Sequence, residues 1–107
     1  MTLVDWNIII PADLGAKVLF SALAHPPHND VIDANLVGIE MPGGMFIDVE
    51  FIRSKKQYVV TLFRDDIDNP LEVADCTDVN AVILVVKELA ESTRIRTVGA
   101  SKGSCFP

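Results

Sequence analysis

The stretch Phe46–Arg64 constrains this chain more than any other. Ile47, Val49 and Phe51 fall to one side of an extended backbone and Asp48 and Glu50 to the other, the period of a strand with one buried and one wet face. After the short polar turn Ser54-Lys55-Lys56, a second strand carries Tyr58, Val60 and Leu62 on one face and Val59, Thr61 and Phe63 on the other. That strand has no polar side, so it is expected inside the sheet. A helix can cover only one of its faces; the other must meet the N-terminal segment, a ligand or another subunit.

The flanks extend the hairpin into a sheet. A strand over Leu36–Met41 ends at Met41-Pro42-Gly43-Gly44-Met45, where proline and glycine stand as a type II turn requires. The loop Asp65–Pro70 leads into a shorter strand, Leu71–Cys76, completing an antiparallel four-stranded meander over about residues 36–76. Thr77 or Asp78 then caps an amphipathic helix over about residues 78–92. Val79, Val82, Ile83, Val86, Leu89 and Ala90 share its inner face, and Lys87, Glu88 and Glu91 point outward. Leu84 and Val85 widen the apolar face enough to invite cover from a neighbouring subunit. Thr93–Val98 alternates faintly and reads as an edge strand.

Before the meander, Val4, Trp6, Ile8 and Ile10 stand at even spacing and read as a strand that Pro11 ends. From Asp13 to Ala24, Asp13 could cap a helix through Leu14, Val18, Leu19, Ala22 and Leu23. Gly15 weakens it, and a strand through Val18, Phe20 and Ala22 competes. Pro26-Pro27 makes the segment from His25 to Asp30 a loop. The expected class is α+β: the meander packed by its C-terminal helix, preceded by a strand and a helix. With 107 residues, the chain suits a single domain over residues 1–98 and a flexible tail over 99–107.

Half of the residues are apolar and the mean hydropathy is +0.33, high for a small protein, so self-association into a homo-oligomer is expected. No apolar run approaches the ~20 residues of a bilayer-spanning helix, and no basic segment leads an apolar one at the N-terminus. A cytoplasmic setting is expected. Cys76 and Cys105 form no short-spaced metal or redox motif; reduced thiols are expected, with a disulfide between them as the alternative. The net charge of −6 arises in the first half, where seven acidic residues, Asp48 and Glu50 among them, face Lys17 alone. Such a field argues against general binding to nucleic acid.

Three groups of residues are candidate sites. His25, His28, Asp30 and Asp33 could present imidazole and carboxylate to a transition metal; the competing reading is a polar connector stiffened by Pro26-Pro27. Arg53, Lys55, Lys56 and Arg64 could bind a phosphate or an acidic partner, or simply keep a hairpin tip soluble. Val59, Thr61, Phe63, Leu84 and Val85 are the candidate interface. Asp65, Asp66 and Asp68 have neither the glycine nor the closing glutamate of a calcium loop and read as a turn. Cys76, Cys105, Ser21 and Ser54 lack the local signature of an activated nucleophile. The sequence therefore favours a non-enzymatic, self-associating interaction or assembly module. The alternative is a small-molecule or metal-binding protein, or an enzyme, with its site near the His25–Asp33 loop; no cofactor is assigned.

Overall fold

Two tight reversals set the register of the sheet. In this computed structural model, which describes residues 2–25 and 34–102, Gly43 and Gly44 adopt φ of 85° and 74°. Only glycine takes such angles without strain, and they let β4 (Ala34–Met41) turn directly into β5 (Met45–Ile52), with Met41 opposite Met45. The second reversal, through residues 53–56, pairs Ile52 with Gln57 and starts β6 (Gln57–Phe63). It closes with Lys56 at φ 52°, left-handed backbone that costs a side-chain-bearing residue about 1 kcal/mol. Lys56→Gly should therefore raise the melting temperature slightly, by the equivalent of about 0.5 kcal/mol once the extra backbone entropy that glycine loses is subtracted. An unchanged thermal melt would mean that the turn holds no such strain.

Asp66 organises the next connection, accepting from the Asp68 amide at 2.9 Å and from the Asn69 side chain at 3.0 Å. This is the Asx-turn chemistry expected there, and it delivers the chain to β7 (Glu72–Cys76). The Asp78 carboxylate then accepts from the Ala81 amide at 2.7 Å and caps α2 (Val79–Lys102).

The sheet is antiparallel and has five strands, ordered β2 (Lys17–Ser21), β4, β5, β6, β7. The expected four-stranded meander is its larger part, β6 is paired on both sides, and β2 adds an edge. Helix α2 lies on one face. Its Val79, Val82, Val86, Leu89 and Ala90 form one core cluster with Val37, Ile39, Ile47, Val49, Val60 and Leu62 of the sheet. Among the described residues no helix is long and apolar enough to cross a membrane.

Three expectations need correcting. The even spacing of Val4, Trp6, Ile8 and Ile10 does not make one strand: only β1 (Thr2–Leu3) is extended, and a helical turn, α1 (Trp6–Ile9), follows. Asp5 causes the change, its carboxylate accepting from the Asn7 amide at 3.0 Å and its carbonyl from Ile8 and Ile9. Trp6 is buried and donates its indole N–H to Ser21 Oγ at 3.0 Å, while Ile8 points to solvent.

The helix expected over Asp13–Ala24 is reduced to a 3-10 turn at Ala12–Leu14, which Gly15 stops at φ 71°. The competing strand forms instead as β2, because pairing with β4 satisfies a backbone that no helix continues to satisfy. Further on, β3 (Ala24–His25) pairs with β1.

The edge strand expected over Thr93–Val98 is helix, since α2 runs on to Lys102. Ser92 and Thr93 do not interrupt it, because each hydroxyl donates to the carbonyl three residues earlier, at 2.8 and 2.7 Å.

Candidate functional site: the open face of the sheet

Cross-strand register places a defined set of side chains on the face away from α2. Lys17, Glu40, Phe46 and Phe63 form one row, and Phe20, Gly38, Asp48, Thr61 and Val73 form the next. Glu50, Val59 and Asp75 follow, then Ile52 and Gln57. The core cluster contains none of Phe46, Val59 and Phe63, and the N-terminal residues Trp6, Ile10 and Leu14 join it from the helix side. The second face of β6 is thus covered neither by α2 nor by the described N-terminal segment.

Aromatic rings dominate this surface. Phe46 and Phe63 stack with centroids 5.4 Å apart. Phe20, 45 % exposed, lies flat on Gly38: a Cβ there would stand 2.9 Å from Phe20 Cζ. The glycine makes room for the ring.

Asp48 sits in the middle of this face, on the central strand, and only 8 % of it is exposed. Its flanks explain that value. Phe46 precedes it on the same face, Phe20 and Gly38 lie to one side and Thr61 to the other. It has no hydrogen-bond or ion-pair partner among the described residues. Burial and, to a lesser degree, the Glu50 carboxylate push its pKa from 3.8 up to about 6. The wet face expected from the Asp48–Glu50 alternation is a dry one around Asp48. The signal was available across the hairpin, where Thr61 opposes Asp48 and Phe63 opposes Phe46.

The remaining candidates lie elsewhere. Val59, Thr61 and Phe63 belong to the open face, but Leu84 and Val85 are on α2, across the sheet. Leu84 is 58 % exposed; Val85 lines a cleft of about 340 Å³ between α2 and β7, with Val73, Ala74, Glu88 and Leu89. Arg53, Lys55 and Lys56 share the exposed turn between β5 and β6, whereas Arg64 follows the other end of β6. One phosphate cannot bridge ends separated by a strand of roughly 20 Å. His25 pairs with Thr2 in β3, and His28, Asp30 and Asp33 lie outside the described residues. Burial, then Asp75 and Asp78, raise the pKa of the Cys76 thiol, which packs as a small hydrophobe and is poorly suited to nucleophilic attack.

No known protein family, curated protein or solved structure matches this chain. What the open face can do follows from its chemistry alone. The face carries Phe20, Phe46, Phe63, Val59 and Val73 beside Lys17, Glu40, Glu50 and Asp75, with the Asp48 carboxylate shielded among them.

Proposed function

We propose that this protein is a non-enzymatic assembly module that self-associates through the open face of its sheet. The observation that carries this reading is the two-sided apolar character of β6, whose Val59 and Phe63 stay outside the core cluster among the described residues. Sheets bury such faces by stacking about 10 Å apart, with side chains interdigitated. A second copy supplies a matching sheet without any further partner, and two-fold pairing of one surface with itself is the commonest form of association.

Area supports a pair of modest affinity. Strands ~4.8 Å apart and ~20 Å long give about 480 Å² per copy for five of them, roughly 1,000 Å² for two, the lower bound for a specific interface. A reversible dimer in the micromolar range fits that area better than a permanent one. The surface charges of this face, Glu40, Asp48, Glu50 and Asp75 against Lys17, speak against a phosphate-bearing partner, and across a two-fold interface they also weaken pairing at neutral pH. A cytoplasmic setting belongs to the same reading, because a buried, unreactive Cys76 needs no oxidising compartment.

Light scattering after gel filtration at pH 6 should show the wild-type chain as a dimer at micromolar concentration. Phe20→Ser, which removes an exposed ring and leaves the core untouched, should shift it to monomer with an unchanged far-ultraviolet spectrum. A wild-type chain that stays monomeric would end this reading.

A further inference from the structure

Self-association through this face, on which the following rests, leaves Asp48 to be accounted for. Its strand, β5, is the third of five, and Asp48 stands near the centre of the open surface. A second sheet covering the whole face must have its two-fold axis near that centre, so each Asp48 approaches the Asp48 of the other copy. Among the described residues no cation is placed to intervene. Of the flanking strands, β4 brings Gly38 beside Asp48 and Glu40 one row away, and β6 brings Thr61 and Val59. On its own strand lies Glu50; the outer strands contribute Asp75 on β7 and Lys17 on β2, the latter two strands away and in another row. Helix α2 is on the opposite face.

We infer that self-association is coupled to proton uptake at Asp48, so that the two central carboxyl groups meet as a proton-sharing pair. Two carboxylates brought together in a dry interface cannot both stay ionised. Protonation converts one of them into a donor for the other, and the short O–H···O⁻ bond between them supplies the partner that Asp48 lacks among the described residues. The group is poised for this exchange: in the unassociated protein it already titrates near 6, because its neighbours keep water away. Acidification by a unit or two below neutrality would then act as an assembly signal, and a neutral medium would release the copies.

The linkage has a definite sign. If the dimer holds one shared proton, its dissociation constant falls about tenfold from pH 8 to pH 7 and only about threefold more by pH 6, where Asp48 of the free chain is itself half protonated. Sedimentation velocity of the full chain at pH 8, 7 and 6 should show this tightening. Asp48→Asn, whose amide can pair with its counterpart without a proton, should associate at all three values with a flat profile. Glu50→Gln should keep the wild-type slope.

Each failure is distinct. If wild type and Asp48→Asn are both monomeric at every pH, the self-association reading itself falls. If wild type dimerises with no pH dependence, or Asp48→Asn keeps the slope, the proton coupling alone is overturned. Association that tightens as pH rises would overturn it too, and would mean that Asp48 meets a cation in the assembly.

Discussion

Asp48→Asn is expected to stabilise the single chain by about 1–2 kcal/mol at pH 7.5. A carboxyl group whose pKa rises from 3.8 to about 6 on folding binds its proton more tightly in the native state. Its contribution is therefore most favourable below pH 3.8, where both states are protonated, and is lost as pH rises through 6. About two pKa units at ~1.4 kcal/mol each set the upper limit, and the unmet hydrogen bonds of the amide subtract a part. Urea unfolding, at concentrations low enough to keep the chain monomeric, should show the gap between variant and wild type closing as pH is lowered from 7.5 to 4. Using that difference cancels the titration of the other carboxylates. Parallel stability profiles would show instead that Asp48 is hydrated and unperturbed.

The second large effect separates the two faces of one strand. Ile47 is fully buried beneath α2, and Ile47→Ala should cost about 2–5 kcal/mol, because the cavity left under a packed helix cannot easily collapse. Phe46, its immediate neighbour, faces the open side and is half-buried against Phe63. In the monomer, Phe46→Ala forfeits the ring pair, worth ~0.5–1.5 kcal/mol, and some area, while its main consequence is lost association. Chemical denaturation of both variants, with gel filtration of Phe46→Ala, checks the contrast. Equal losses of monomer stability would mean that both faces are core.

The features that local chemistry decides were legible in the sequence. Pro42-Gly43-Gly44 announced its turn, Asp78 its cap, and the residues 46–63 their pairing, because each signal lies within a few residues of its effect. The edge strand β2 was not, since Val18 and Phe20 become a strand only when β4 lies beside them, and a bulge between them spoils the alternation. The length of α2 was hidden for a related reason. Ser92 and Thr93 look like helix breakers until their hydroxyls are seen to donate back to carbonyls of the same helix.

The site shows the same division. Val59, Thr61 and Phe63 could be identified because their own strand has no polar side. Asp48 was legible only in part: Thr61 and Phe63 across the hairpin hinted at its dryness, but Phe20 stands on a strand two places away that local signals do not place. The basic residues illustrate the converse error: Arg64 shares a sign with Arg53 and the two lysines, yet a whole strand separates them.

The order of β4 to β7 in space repeats their order in the chain, so each strand finds its partner already synthesised and only a short turn away. Contacts this local cost little loop entropy and form early. The helix that seals the core face lies after Cys76, so a growing chain can complete the meander before the residues of α2 have emerged. During that interval the core face has only the N-terminal residues such as Trp6, Ile10 and Leu14 to cover it. The nascent protein is then more prone to promiscuous sticking than the finished one, and its exposure to aggregation is set by how soon Val79–Ala90 arrives to close one side.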